Sequence, residues 1–166
     1  MADLKFKGNS IHTVADLPKL GSNAPSLKLT KNDLSDVSLD TYKGKKKILN
    51  VFPSIDTPVC ATSVRKFNEK ASSLPNAVVL CISADLPFAQ KRFCGAEGIV
   101  NVETLSDFRN ESFGKNYGLE LADGPMAGLL ARAVVVLDEN DKVLYTELVD
   151  DIVHEPNYEA ALASLA

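Results

Sequence analysis

The sequence predicts an α/β fold in which a mixed β-sheet is flanked by helices on both faces. Three observations carry this. Apolar runs of strand length recur along the chain, amphipathic helical segments separate them, and two late strands are joined by a short polar turn. Strand–helix–strand units give parallel neighbours and the closing hairpin gives an antiparallel pair, so the sheet is mixed. At 166 residues the chain has the length of one domain, spanning residues 1–166.

The first 45 residues are polar and rich in turns. Ile11 to Ala15 and Ser26 to Thr30 read as short strands, with Gly21 and Pro25 marking turns between them. Lys46 to Phe52 reads as a buried strand that stops at Pro53. Pro58 to about Ser73 is helical, because Val64, Phe67, Ala71 and Leu74 fall on one face. Thr57 suits its N-cap, and Pro58 suits the first helical position, where a missing N–H costs nothing.

Val78 to Ser83 is a continuous apolar run, as expected for a strand covered on both faces. Asp85 is expected to cap a second helix, which runs through Pro87 to about Cys94 and ends at Gly95. Val102 to Leu105 is a third short strand, and Asn110 to Tyr117 a short helix ended by Gly118. Ala133 to Leu137 and Lys142 to Val149 form the hairpin, through Asp138 to Asp141. Tyr158 to Ala166 is a closing helix that starts near Asn157.

Composition narrows the function. Hydrophobic residues make up 45% and charged residues 24%, as in ordinary globular proteins. The net charge of −4 gives no reason to expect nucleic acid or an anionic membrane as partner. The longest stretch without a charge, Ala71 to Ala84, is too short to span a bilayer. No apolar core follows Met1, so no secretory signal is expected and the setting is expected to be cytoplasmic. The three cysteines, Cys60, Cys81 and Cys94, are odd in number and widely spaced, which fits neither a disulfide framework nor a metal site. The lysines at 43, 45, 46 and 47 read as a solvated turn, and His12 and His154 as surface residues.

The segment Val51 to Cys60 carries the chemistry. A buried strand ends, a short loop follows, and Cys60 lands in the first turn of a helix. Free N–H groups and the positive end of the helix dipole favour a thiolate there, and a thiolate is the nucleophile. The loop lies at the carboxyl end of a strand, where α/β folds place their sites. Thr57 is three residues earlier, on the same side of the turn. The residues after Cys60 are Ala61, Thr62 and Ser63, so the Cys-x-x-Cys of a dithiol oxidoreductase is missing. A cysteine protease needs a histidine base, and both histidines are poorly placed for that. A lone activated thiolate with a hydroxyl partner fits attack on the O–O bond of a peroxide, giving a sulfenic acid that a second thiol can capture. Cys81, inside Val-Val-Leu-Cys-Ile, reads as a buried strand residue, and the spacing alone leaves Cys94 undecided. Arg132 enters a buried strand, where a charge needs a partner or a role.

The pattern Pro53-x-x-x-Thr57-x-x-Cys60 resembles the active-site signature of the peroxiredoxins. The runs Phe52 to Asn68, Cys81 to Gln90, Arg92 to Gly95 and Ala131 to Val136 resemble one branch, the atypical two-cysteine bacterial thiol peroxidases. This resemblance extends along essentially the whole chain. It implies a thioredoxin-like sheet with an N-terminal β-hairpin extension, and a homodimer. It implies Cys60 as peroxidatic and Cys94 as resolving cysteine, joined as an intrachain disulfide. It implies Thr57 as the hydroxyl that binds peroxide and thiolate, Pro53 as a shield against water, and Arg132 as the cation that stabilises thiolate and leaving oxygen. It implies hydrogen peroxide and organic hydroperoxides, bulky ones included, as substrates, with no bound cofactor. Thioredoxin is the implied reductant, itself fed by NADPH through a reductase. Two other readings stay open at this point: a redox sensor that oxidises once and recycles slowly, and a one-cysteine peroxidase in which Cys94 only packs.

Overall fold

A computed structural model describes residues 1–166. Its centre is three parallel strands, β5 (Lys46–Val51), β6 (Ala77–Ser83) and β7 (Glu103–Ser106). Helix α1 (Pro58–Ala71) makes the first crossover and α2 (Pro87–Glu97) the second. The antiparallel pair β8 (Ala133–Leu137) and β9 (Val143–Leu148) extends the sheet beyond β5. Two-residue strands β3 (Leu29–Thr30) and β4 (Asp36–Val37) extend it beyond β7, and the full order is β4-β3-β7-β6-β5-β8-β9. The fold is a thioredoxin-like mixed sheet with flanking helices, as the sequence leads one to expect. No helix is long and apolar enough to cross a membrane.

The central strands are buried on both faces, which is why their sequences are mostly apolar runs rather than alternating. Alternate residues still serve different layers. Leu49, Val51, Leu80 and Ile82 pack on one side with Phe113 of the short helix α3 (Ser112–Asn116) and with Tyr117. Ile48, Val79 and Val134 pack on the other with Val64 and Phe67 of α1, Phe93 of α2 and Tyr158 of α4 (Tyr158–Ala163). Asn157 caps α4 by accepting from the Ala160 N–H.

The N-terminal hairpin pairs β1 (Asp3–Phe6) with β2 (Asn9–His12). Its two-residue turn, Lys7-Gly8, has positive φ at both positions (50° and 83°), the geometry that matches strand twist. Both turn N–H groups donate to the Asp151 carboxylate, at 3.1 and 2.9 Å. The hairpin is bound to the same segment by Lys5 N–H to Asp150 O (2.8 Å) and Ile152 N–H to Lys5 O (2.9 Å). Leu4 and Ile11 complete a small core with Leu121, Ala131 and Ile152.

Several expectations change. Strand β2 starts and ends earlier than Ile11 to Ala15, and β1 and β4 have too few residues to leave a periodic signal. Helix α2 does not end at Gly95. It continues to Glu97, and Gly98 takes the left-handed conformation (φ 66°) that closes it. Its N-cap is Leu86, not Asp85. Lys47 is not solvated. Strand pairing carries it inside, where its Nζ donates to Asp141 Oδ1 at 2.6 Å.

Candidate active site

The chain leaves β5 at its carboxyl end, turns through Pro53 to Thr57, and enters α1 at Pro58. Thr57 is the N-cap residue, with an extended backbone, and its carbonyl accepts from the Ala61 N–H at 3.0 Å. Its side chain does not cap the helix. The hydroxyl donates to the Ser54 carbonyl at 2.9 Å, which leaves its lone pairs free to accept.

Cys60 is the third residue of α1 and is fully buried. Arg132, just before β8, lies 72 residues further along the chain. Its Nη2 donates to the Cys60 sulfur at 3.2 Å. Its Nε donates to the Ile152 carbonyl at 2.7 Å. Its Nη1 is buried and has no partner. Arg132 is only 2% exposed, and neither of its partners is a carboxylate. A cation this deeply buried needs polar partners, and the Cys60 sulfur is one of the two it has.

A cavity of about 240 Å³ opens beside this pair. Pro53, Thr57 and Arg132 line it together with Phe6 of the hairpin, Met126 and Val153. Its wall is mostly apolar side chains, with Lys7 at the hairpin turn among the few polar ones. Water occupies about 30 Å³ per molecule in the liquid, so the space exceeds what hydrogen peroxide alone would fill.

The structure therefore gathers Arg132, Thr57 and Pro53 around one cavity, and Cys60, fully buried and outside that lining, joins them through its bond to Arg132. Cys94 does not line the cavity. It is half-buried near the end of α2, packs against the apolar cluster that includes Cys60, and its sulfur is 3.7 Å from Thr104 Oγ1. Burial pushes its thiol up, against smaller opposing effects from Thr104 and Asn32. All three cysteines are free.

Cys81 sits on β6 inside the sheet, with Asn50 Nδ2 at 3.6 Å from its sulfur. Burial pushes its thiol up to about 12. In the folded, reduced protein Cys81 is expected to resist alkylation at neutral pH, as peptide mapping after a timed iodoacetamide pulse would read. Labelling at the rate of an exposed thiol would contradict this.

Three contributors escape sequence reasoning. Ile152 acts through a backbone carbonyl, which no residue type announces. Ser54 acts through its carbonyl and a hydroxyl. Asp85 looks like a helix cap in the sequence, but its carboxylate turns towards the Cys60 loop.

Comparison with known proteins finds relatives along nearly the whole chain. A family model described as Redoxin matches residues 19–162. The thiol peroxidases of Mycobacterium tuberculosis and Mycobacterium bovis are 60% identical over 165 residues, which is 99% of this chain and 99% of theirs. The crystal structure of a peroxiredoxin-like protein from Aquifex aeolicus superposes with a TM-score of 0.93 at 38% identity, covering 98% of this chain and 95% of that one. A thiol peroxidase from Chromobacterium violaceum shares the fold at 22% identity, with a TM-score of 0.88 over 95% of this chain and 91% of its own.

Proposed function

This chain belongs to the redoxin family, as a thiol peroxidase of the peroxiredoxin type, and on that premise we propose that Cys60 is its peroxidatic and Cys94 its resolving cysteine. The observation that carries the reading is the buried arginine. One of its nitrogens holds the Cys60 sulfur while another points to no protein partner, beside a cavity.

The Cys60 thiolate attacks one peroxide oxygen. An S–O bond forms, the O–O bond breaks, and the sulfur is oxidised to sulfenic acid while the second oxygen leaves as alkoxide or hydroxide. The free Nη1 of Arg132 is placed to donate to oxygen as its charge grows, and a donor fixed in advance costs no reorganisation during the reaction. Thr57 commits its proton to Ser54 and accepts from the peroxide O–H. Pro53, on the cavity wall and without an N–H, helps keep water from the thiolate. The leaving oxygen takes a proton and departs as alcohol or water.

Cys94 thiolate then attacks the sulfenic sulfur. An S–S bond forms and hydroxide leaves, to become water. The two Cα atoms must come within about 4.4–6.8 Å for this bond. Cys60 begins one helix and Cys94 lies near the end of another, so one or both helix ends unwind to make it. A dithiol protein, thioredoxin, returns both thiols. Hydrogen peroxide and organic hydroperoxides are the substrates, and the cavity's size and apolar wall favour the organic ones. A cytoplasmic homodimer completes the proposal. Leu86, Phe88 and Phe108 are exposed next to the carboxyl ends of β6 and β7, where a second copy could cover them.

Intact mass after one equivalent of an organic hydroperoxide tests the assignment. Wild-type protein is expected to lose about two mass units as a disulfide forms, and Cys94→Ser to gain about 16 as sulfenic acid. No change in either protein would overturn the role of Cys60. A gain of about 16 in both would leave Cys94 as packing only.

A further inference from the structure

We propose that Asp85 is a positioning residue for peroxide attack, acting through Ser54 on the hydroxyl of Thr57. The inference rests on the assignment of Cys60 and Thr57 above.

The Asp85 carboxylate accepts three hydrogen bonds. Ser54 Oγ donates at 2.7 Å, the Ile55 N–H at 2.6 Å and Ser83 Oγ at 2.6 Å. Two of these donors belong to the loop between β5 and α1, and one ends β6. None belongs to α2, the helix that Asp85 precedes. The Ala89 and Gln90 N–H groups of that helix turn to the Leu86 carbonyl instead. The carboxylate is therefore directed at the Cys60 loop and not at its own helix. Bonds to an ionised acceptor are stronger than neutral ones, so this carboxylate ties the loop firmly to the end of β6.

Ser54 is the relay. Its hydroxyl gives its proton to Asp85 and accepts the Asp56 N–H at 3.1 Å. Its carbonyl accepts the Thr57 hydroxyl at 2.9 Å and the Thr57 N–H at 3.2 Å. Wherever Ser54 sits, the Thr57 proton follows, and the lone pairs that meet the peroxide are turned accordingly. The platform beneath is rigid. Gln90 Nε2 donates to Ser83 Oγ at 3.0 Å, and Ser106 Oγ donates to the Asp85 carbonyl. Ser83, Gln90 and Ser106 are fully buried.

All three groups facing the carboxylate are donors, so an amide there must turn its NH₂ towards one of them. Asp85→Asn keeps the volume but removes the charge and one acceptor, which weakens the tie. The experiment is a double-mutant cycle on the rate constant for Cys60 oxidation, followed by rapid quench and intact mass. It uses wild type, Asp85→Asn, Thr57→Val and the double variant. Asp85→Asn is expected to be slower by about tenfold. In the Thr57→Val background the same change is expected to do little, within about twofold, because the hydroxyl it positions is gone. A merely structural role would slow both backgrounds by the same factor, and that result would overturn the proposal. So would an Asp85→Asn variant as fast as wild type. Should Asp85→Asn not fold, Ser54→Ala removes the relay hydroxyl from the other side and is expected to give the same non-additivity. Wild-type protein that is not oxidised at Cys60 would overturn the peroxidase assignment itself, a result distinct from either outcome for Asp85.

Discussion

Arg132→Gln is expected to slow oxidation of Cys60 by about 10²–10³-fold, the usual cost of removing one preorganised donor from a site where charge develops. The guanidinium holds the sulfur at 3.2 Å and the Ile152 carbonyl at 2.7 Å, and in the proposed reaction its unpartnered Nη1 serves the substrate. Glutamine is shorter and neutral and cannot serve them together. Lysine keeps the charge but lacks the planar fork, so Arg132→Lys is expected to fall between the two, nearer the glutamine variant. Stability should move far less than rate, because the substitution also removes the cost of burying a charge. The measurement is the second-order rate constant with an organic hydroperoxide, alongside a thermal melt. A glutamine variant within about threefold of wild type would remove Arg132 from the chemistry.

Asp107→Asn is expected to stabilise the protein, by an amount that grows as pH rises from about 4 to about 7 and is full above that. Asp107 follows β7 and is 5% exposed, facing a pocket with Glu111 and Glu120. Burial first, then these two carboxylates, push its carboxyl up to about 7. An unfolded aspartate titrates near 3.9. Between those values the native state holds a proton that the unfolded state has released, so stability falls as pH rises through this window. Above it the folded protein carries the full penalty. A tenfold difference in proton affinity between the two states corresponds to about 1.4 kcal/mol, so the penalty is roughly 2–4 kcal/mol. Asparagine cannot ionise, so at pH 8 the variant should melt roughly 5–15 °C above wild type. At pH 4 the two should coincide. An equal gain at both pH values would show that the effect is packing rather than charge.

The fold class and the place of Cys60 at the start of a helix were legible in the sequence. Cys60 could be placed because a long buried strand, a proline-bounded loop and an amphipathic helix each leave a periodic or compositional trace. The need of Arg132 for a partner was also legible, since a charge adjoins five consecutive apolar residues. Its partners were not. One is a carbonyl 20 residues away and the other a sulfur 72 residues away, and only the closed sheet brings them together. Helix α2 offered two glycines, Gly95 and Gly98, and the stop signal belongs to whichever reaches the left-handed conformation, which composition does not disclose. Lys47 was hidden by its neighbours. A run of lysines looks solvated, yet strand pairing decides which of them turns inward, and Asp141 waits for it on the β8–β9 turn.

The segment from Asp150 to Ile152 has a consequence for how such a protein can diversify. It anchors the hairpin that supplies Phe6 and Lys7 to the cavity wall, and the same short stretch supplies the carbonyl that orients Arg132. A change there disturbs the shape of the pocket and the competence of the arginine in one step, so the two traits are inherited together. Freedom to alter what enters, without touching how it reacts, is left to Phe6, Met126 and Val153. Their side chains face the cavity and make none of these bonds, which makes them the natural positions for selection, or an engineer, to work on.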